Sequence, residues 1–414
     1  MPVAEHISSG LGQVFDAGST NFCPLGSTYT PPTGAEALSQ VLARSSYTMA
    51  NLFLRVVTNG TTGSSTSTSR KNAAPGNMSV TIGAGLTGTF EDTVNTDSLV
   101  TGDLFCERLV VGAGGSINRS LLGVTLDNSG SNYDRIFVNG EGLGILPGSS
   151  ITVFQSLSGP IGANTTEADQ QLTFRTAATL SNLRVYVSVG AAAATTFRTR
   201  KNGANGNQSV IAPLGVTGSF EDTTNTDSVV AGDEICMSVV LGAAETIQIA
   251  VWQVKSAGAA AQLVNSDTTT VTISSDTHVA PAGNMSTSLT ESQVQMKSRT
   301  TFTGKELYLN VKTHGASSGV NLFLRKNGVN TALAVNIPAS TTGVFEDTSN
   351  TADFVSGDLF HLFFDHGGGA GSIGFTMLSF ASSETPVGGG RWYPTQMLNR
   401  GPRSRAMGRG LRVP

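Results

Sequence analysis

The stretch Thr-Gly-Thr-Phe-Glu-Asp-Thr at residues 87–93 decides the fold, because the chain contains it three times. It returns as Thr-Gly-Ser-Phe-Glu-Asp-Thr at 217–223 and as Thr-Gly-Val-Phe-Glu-Asp-Thr at 342–348. An Arg-Lys-Asn triplet lies twenty residues before each phenylalanine, and a Gly-Asp pair lies twelve residues after it. Successive phenylalanines are 130 and 125 residues apart, which is the length of a whole domain. The sequence therefore predicts three tandem domains of one fold.

The composition indicates β-structure. Charged residues make up 13% of the chain, against about 25% in an average soluble domain. Glycine is abundant at 49 residues, and serine and threonine crowd the gaps between apolar runs. This mixture favours short strands joined by many turns, with hydroxyl side chains facing solvent.

Corresponding apolar stretches in the three repeats alternate with period two, which is typical of a strand with one buried face. They lie at 47–56, 178–187 and 302–311. Each repeat contains seven or eight such short strands, separated by turn residues, as in a β-sandwich or jelly roll. We predict an all-β protein with domains at 1–128, 129–258 and 259–383, followed by an Arg-rich tail at 384–414.

The C-terminal tail differs from the repeats in charge. From Thr385 onward it holds six of the chain's 25 basic residues and none of its 29 acidic residues. Such a segment cannot bury a core alone, and it is typical of chains that fold on a partner. Docking on protein is favoured over binding nucleic acid or a merely solvated end, because Arg and aromatic residues dominate protein interfaces. The residues predicted to dock are Arg391, Trp392, Tyr393, Arg400, Arg403 and Arg405.

No pattern in the sequence indicates catalysis. The five histidines have no metal-ligand spacing, and neither a nucleophile elbow nor a phosphate-binding Gly-Lys-Ser/Thr loop occurs. Cys106 and Cys236 occupy matching positions of the first two repeats, and His361 occupies that position in the third. This pattern indicates a buried slot, not a disulfide framework. We predict no catalytic, cofactor-binding or metal-binding residues, and no enzyme.

The repeated acidic motif has three interpretations, which are structural pairing, calcium binding and, least favoured, catalysis, because a catalytic site is rarely repeated three times in one chain. Oxygen-rich clusters can hold calcium, but the arginine of each Arg-Lys-Asn triplet keeps a fixed distance from the carboxylates and favours structural pairing. The predicted pairs lie within each domain and involve Arg70, Glu91 and Asp92; Arg200, Glu221 and Asp222; and Arg325, Glu346 and Asp347. The aromatic residues of the motif, Phe90, Phe220 and Phe345, are predicted to fill the core of their own domains.

The second half of each repeat resembles known proteins over about 65 residues. Its apolar strand, Gly-Asp turn, alternating strand, Gly-rich loop and final apolar strand resemble the closing half of tumour-necrosis-factor/C1q-type jelly rolls. The run from Arg-Lys-Asn-Gly through Thr-Gly-x-Phe-Glu-Asp-Thr to Gly-Asp also resembles repeats in structural proteins of tailed bacteriophages. The resemblance implies a non-enzymatic virion component, either a capsid decoration (cement) protein or a head or tail fibre component.

The partners expected on this basis are other capsid or tail proteins and, in a fibre, two further copies forming a homotrimer. The alternative is a carbohydrate-binding adhesin whose variable loop tips bind a host surface glycan. No run of 18 apolar residues predicts a membrane span, and the first ten residues lack the regions of a secretory signal. We therefore expect assembly in the host cytoplasm and localisation in the virion.

Two arrangements of the three domains are compatible with the short joins between them. The chain could close on itself as a pseudo-trimer, or its domains could be strung out and trimerise with those of other chains. Joins of a few residues give little reach, so neighbouring domains must nearly touch in either case. The extended arrangement is slightly favoured, because one chain that makes three unlike contacts should have diverged more between its copies.

Overall fold

The computed structural model describes residues 3–26, 34–128, 133–139, 144–147, 152–159, 164–242, 246–258, 260–284 and 287–383. The predicted docking residues of the tail, Arg391 to Arg405, lie outside this range. Strands dominate the described residues, and the three short helices have three or four residues each. None of these helices is long enough to cross a membrane.

The first repeat folds into nine strands in two sheets. They are β1 (Val3–Phe15), β2 (Thr20–Cys23), β3 (Val41–Leu42), β4 (Tyr47–Asn59), β5 (Ser65–Lys71), β6 (Ala74–Ile82), β7 (Gly88–Leu99), β8 (Leu104–Val110) and β9 (Ile117–Asp127). One sheet has the order β1-β9-β4-β7, and the other has the order β2-β8-β5-β6 with β3 also paired to β8. A 3₁₀-helix (Glu36–Leu38) precedes β3.

The second repeat has the same arrangement. Its strands are β10 (Tyr133–Asn139), β11 (Gly144–Pro147), β12 (Thr152–Gln155), β13 (Leu172–Thr173), β14 (Ala178–Val189), β15 (Thr195–Lys201), β16 (Ala204–Ala212), β17 (Gly218–Val229), β18 (Glu234–Val240) and β19 (Thr246–Gly258). The sheet orders are β10-β19-β14-β17, with β11 on β19, and β12-β18-β15-β16, with β13 on β18. Helix α1 (Glu167–Gln170) precedes β13.

The third repeat repeats the pattern once more. Its strands are β20 (Ala261–Ile273), β21 (Thr277–Val279), β22 (Gly283–Asn284), β23 (Thr287–Ser288), β24 (Met296–Lys297), β25 (Phe302–His314), β26 (Val320–Lys326), β27 (Val329–Ile337), β28 (Gly343–Phe354), β29 (Leu359–Asp365) and β30 (Ile373–Ser383). The sheet orders are β22-β20-β30-β25-β28 and β23-β21-β29-β26-β27, with β24 on β29. A second 3₁₀-helix (Glu291–Gln293) precedes β24.

Each repeat is a jelly roll. Two sheets face each other, and strands that follow one another in the chain are distributed between them, as in the double Greek key. All described strand pairs join strands of the same repeat, within 3–127, 133–258 and 261–383. The prediction of an all-β protein of tandem jelly rolls is confirmed.

The turn that begins at the asparagine of each Arg-Lys-Asn triplet has positive φ angles. Asn202 and Gly203 have φ angles of 51° and 76°, and Asn327 and Gly328 have 49° and 82°. Asn72 and Ala73 take the same conformation in the first domain, with 50° and 61°. These angles match the two-residue hairpin turns that best fit the right-handed twist of paired strands.

The three phenylalanines of the repeated motif do not fill the core as predicted. Phe90, Phe220 and Phe345 are only half-buried, and they pack against the margin of the buried clusters. The physical reason is position, since β7, β17 and β28 are edge strands of their sheets. The centre of each core is occupied by residues of the inner strands, such as Phe197 of β15.

Candidate functional site

The arginine of each Arg-Lys-Asn triplet binds a glutamate that the sequence did not assign to it. Arg70 donates to both carboxylate oxygens of Glu36, at 3.1 and 2.8 Å, and Arg200 donates to both oxygens of Glu167, at 3.0 and 2.8 Å. In the third domain, Nη2 of Arg325 lies 3.6 Å from Glu291. The prediction that these arginines pair with the Phe-Glu-Asp-Thr carboxylates is therefore wrong.

The constant spacing between the Arg-Lys-Asn triplet and the Gly-Asp pair is explained by other contacts. The lysine and the asparagine of the triplet both bind the aspartate of that pair. Lys71 Nζ lies 2.9 Å from Asp103 Oδ2, and Asn72 donates to Asp103 Oδ1 at 2.7 Å. The carbonyl oxygen of the Asn72 side chain accepts a hydrogen bond from the backbone of Leu104 at 2.9 Å. The same contacts recur at Asp233 and Asp358. The triplet and the Gly-Asp turn are thus two halves of one hydrogen-bonded unit.

The aspartate of Phe-Glu-Asp-Thr binds the backbone of its own domain. Asp92 accepts hydrogen bonds from the backbone N–H groups of Ser79, Val94 and Asn95, at 2.9 to 3.1 Å. Burial acts to raise the pKa of Asp92, but these hydrogen bonds outweigh it and lower the pKa to about 2. Asp222 and Asp347 have equivalent contacts and lowered pKa values. Both oxygens of each carboxylate already accept hydrogen bonds, which favours the structural interpretation over calcium binding.

The glutamate of the same motif points to the opposite face of the strand and contacts a different domain. Glu221 of the second domain pairs with Arg44 of the first at 3.0 Å. In the same way, Glu346 of the third domain pairs with Arg175 of the second. The third pair joins Glu91 of the first domain to Arg299 of the third. The three equivalent ion pairs therefore connect the domains in a closed cycle.

The contact between the first and second domains is supported by reciprocal backbone bonds. Gln253 of β19 accepts a hydrogen bond from the backbone N–H of Leu42 at 2.9 Å and donates to the carbonyl of Leu42 at 2.9 Å. The Arg184 side chain donates to the carbonyl of Gln40 at 3.2 Å. Burial lowers the pKa of Arg184 to about 10, against a raising effect of Glu221. This contact is a mostly buried polar interface.

The contact between the second and third domains also uses a glutamine, but from a different strand. Gln262 of β20 donates to the carbonyl of Thr173 at 2.9 Å and accepts from the backbone N–H of Arg175 at 3.2 Å. The Arg175 guanidinium lies 4.5 Å from the centre of the Tyr308 ring. A charge placed over an aromatic face is attracted by the electron-rich ring. The ion pair with Glu346 and the Tyr308 ring thus hold the same cation.

The contact between the third and first domains closes the cycle. The Arg299 guanidinium lies 5.1 Å from the centre of the Phe53 ring, as Arg175 does above Tyr308. Lys297 adds a second ion pair to Glu91 at 3.1 Å. Burial acts to raise the pKa of Glu91, but Arg299 and Lys297 outweigh it and lower the pKa. A cleft of about 310 Å³ opens beside these residues.

The extended arrangement favoured by the sequence is therefore wrong for this chain, which closes on itself as a pseudo-trimer. Each domain presents an arginine on one side and the matching glutamate on the other, so the third domain finds its partner on the first. Edge strand β10 lies next to both β1 and β20, which brings strands of all three domains together. The three linking arginines are almost fully buried, with 5 to 7% of each side chain exposed.

The linking arginines are the site residues that the sequence interpretation missed. Each follows the glutamate bound by the Arg-Lys-Asn triplet at a distance of eight residues. This recurrence was a usable signal for a repeated contact. It could not show that the contact crosses between domains.

The comparisons with known proteins do not assign the chain to a family. No protein-family model matches it, and no curated protein matches it. Among solved structures, one similar chain belongs to a structure described as "The Triple Jelly Roll Fold and Turret Assembly in an Archaeal Virus". The identity is 12%, the match covers 92% of this chain and 91% of that chain, and the TM-score is 0.19. A TM-score this low means that the two chains superpose poorly overall.

Proposed function

We propose that this chain is a non-enzymatic structural protein of a tailed-phage virion, displayed on the particle surface as a capsid decoration protein. The observation that carries the proposal is the closed cycle of ion pairs Arg44–Glu221, Arg175–Glu346 and Arg299–Glu91. It makes one chain into a body with approximate threefold symmetry. Such a body suits a threefold position on a capsid shell better than a fibre, in which domains would have to be strung out.

The chemistry of the described residues supports a structural role. The motifs repeated in all three domains are used for hairpins, turns and domain contacts, and a catalytic site is rarely repeated three times in one chain. The three domains form the acidic body of the protein, and the cationic C-terminal segment at 384–414 attaches this body to the capsid shell or to the phage tail. This division agrees with the resemblance of the repeats to phage structural proteins.

The adhesin alternative has less support. An adhesin needs exposed loop tips with aromatic or polar groups that can bind a sugar. The tips after β4, β14 and β25 consist of Gly, Ala, Ser, Thr, Asn and His. The second residue of each tip, Thr61, Ala191 or Ala316, is buried. These tips therefore offer no aromatic platform for a glycan.

Particle incorporation tests the proposal. The full chain and a chain ending at residue 383 would be supplied to phage particles that lack the protein, and the purified particles analysed by mass spectrometry and cryo-electron microscopy. We expect the full chain to appear as a compact three-lobed body on the particle surface and the shortened chain to remain unincorporated. A matched variant with the tail arginines replaced by lysine separates charge from arginine geometry. Absence of the full chain from particles would contradict the proposal.

A further inference from the structure

The first two domains contain the same small cluster of side chains around the glutamate that binds the arginine of the Arg-Lys-Asn triplet. In the first domain the Sγ atom of Cys106 lies 3.8 Å from Glu36, and the Arg70 guanidinium lies 5.9 Å from the centre of the Phe22 ring. In the second domain the Sγ atom of Cys236 lies 3.7 Å from Glu167, and the Arg200 guanidinium lies 5.8 Å from the Phe154 ring. The cluster is therefore Glu, Arg, Cys and Phe in both domains.

The third domain changes two members of this cluster together. His361 takes the place of the cysteine in β29. His278 takes the place of the phenylalanine, because it pairs with Phe363, two residues after His361, as Phe22 pairs with Arg108, two residues after Cys106. Glu291 and the triplet arginine are retained. The two substitutions bring Nδ1 of His278 to 2.9 Å from Nε2 of His361.

The glutamate of the third domain is also held less tightly by its arginine. The Arg–Glu distance is 2.8 Å in each of the first two domains, but Nη2 of Arg325 lies 3.6 Å from Glu291. The Arg325 guanidinium lies 4.7 Å from the centre of the Phe363 ring. Oε1 of Glu291 lies 3.8 Å from Nδ1 of His361, which is buried without a hydrogen-bond partner. Within its described residues, the protein therefore leaves Nδ1 of His361 unsatisfied, although Oε1 of Glu291 accepts a hydrogen bond from Gln295 at 2.7 Å.

We propose that His278, His361 and Glu291 bind one Zn²⁺ ion, through one nitrogen of each ring and a carboxylate oxygen. One ligand atom from each residue lies within 4.8 Å of the other two. Two imidazoles and a carboxylate are a donor set that Zn²⁺ prefers, with water completing a tetrahedron. Two nitrogens on a tetrahedral zinc ion are about 3.3 Å apart, so the two rings need to separate only slightly.

The cluster lies where an ion can reach it from solvent and where a bound ion would connect several elements of the third domain. A quarter of the Glu291 side chain is exposed, so the carboxylate can turn toward an ion arriving from solvent. His278 lies on β21, His361 on β29 and Glu291 in the 3₁₀-helix before β24. The ion would therefore fasten the short strand β21 and the helix to the central strand β29. The first two domains make the equivalent connection without two histidines.

Zinc titration of the full chain, produced without a histidine tag and stripped with EDTA, tests the proposal. We expect calorimetry with ZnCl₂ to give one ion per chain. The double variant His278→Phe/His361→Cys installs the residues that the other two domains already carry, and we expect its zinc affinity to fall at least tenfold. Glu291→Gln should also weaken binding. Cys236→Ala in the second domain is the matched control and should bind one ion as the wild type does.

X-ray absorption of the zinc-loaded wild type gives a readout that does not depend on any variant folding. We expect a first shell of nitrogen and oxygen at about 2.0–2.1 Å with imidazole scattering and no sulfur. Zinc bound through sulfur would place the ion at the cysteines and overturn the proposal. So would no binding to the wild type, a stoichiometry of three, or unchanged affinity in the folded double variant.

Discussion

Ala73 is the residue in which the first domain departs most clearly from its copies. It has a φ angle of 61° at the hairpin position that glycine fills in the other two domains. A side chain in this left-handed region costs about 1–2 kcal/mol, although glycine loses some of that gain through its freer unfolded state. We predict that Ala73→Gly raises the free energy of unfolding by about 1 kcal/mol, measured by urea denaturation. Gly203→Ala, the reverse change in the second domain, should lower it by a similar amount.

Arg200 allows the two possible pairings to be separated by experiment. It forms a bidentate pair with Glu167 and shares no described contact with Glu221. Breaking a largely buried pair leaves a carboxylate uncompensated, so Arg200→Ala should lower the free energy of unfolding by roughly 3 kcal/mol.

A double-mutant cycle checks this assignment. Arg200→Ala and Glu167→Ala should show a coupling energy above about 0.5 kcal/mol, whereas Arg200→Ala and Glu221→Ala should be additive. Coupling to Glu221 instead of Glu167 would contradict the assignment.

The three aspartates of the Phe-Glu-Asp-Thr motifs predict a dependence of stability on acid. Their folded-state pKa values are lowered, with Asp92 at about 2, against about 3.9 in an unfolded chain. A group with a depressed folded pKa stabilises the protein above its unfolded pKa, and this contribution is lost as the pH falls through the folded pKa. We expect the melting temperature to drop between about pH 4 and pH 2. Replacing the three aspartates with asparagine should flatten that drop and lower the melting temperature at pH 7.

At the residue scale, the sequence identified recurring charged residues that form ion pairs, but it did not identify the correct partner of each. Each repeat contains two recurring arginines and two recurring glutamates, for example Arg44, Arg70, Glu36 and Glu91. The triplet arginine and the glutamate of Phe-Glu-Asp-Thr are 21 residues apart in every repeat, whereas the arginine and the glutamate that it binds are 34, 33 and 34 apart, so constant spacing pointed to the wrong partner. The partner of each carboxylate depends on which face of the β-strand its side chain occupies. Within one strand Asp92 faces inward while Glu91 faces the next domain.

At the element scale, edge strand β17 shows why a recurring aromatic residue need not be a core residue. Phe220 is half-buried there, whereas Phe197 on the inner strand β15 is almost completely buried. Truncating a fully buried phenylalanine costs about 3–5 kcal/mol, and a half-buried one should cost about half as much. We predict that Phe220→Ala destabilises the protein by about 1.5–2.5 kcal/mol and Phe197→Ala by about 3–5 kcal/mol, measured by denaturant unfolding. Equal losses in the two variants would show that Phe220 belongs to the core.

The sequence predicted the elements that have strong local signals. The strands with period-two alternation, β4, β14 and β25, and the Gly-Asp turns were found where expected. It did not predict β1, which runs over Val3–Phe15. That strand contains serines and glycines in place of a regular apolar alternation. It is held by pairing with β9, a long-range contact that local sequence does not encode.

At the scale of the whole molecule, the three domains are joined by contacts that are equivalent in place but different in chemistry. The linking arginine lies beside Arg184 in the second domain, Tyr308 in the third and Phe53 in the first. The same side of each domain therefore meets three different surfaces. A chain that closes on itself is expected to show sequence differences between its three repeats at such contact positions. The divergence extends to neighbouring contacts, with Gln253 between the first and second domains, Gln262 between the second and third, and Lys297 between the third and first.

Sedimentation velocity combined with light scattering on the purified full chain tests the closed ring most directly. If the ion pairs between domains form within one chain, the protein will be a compact monomer of 42.7 kDa whose mass does not change with concentration. A second run with Glu91→Arg, which opposes Arg299, should keep that mass but lower the sedimentation coefficient as the ring opens. An elongated species of three times the monomer mass in the wild type would contradict the account and return the domains to an extended, multi-chain assembly.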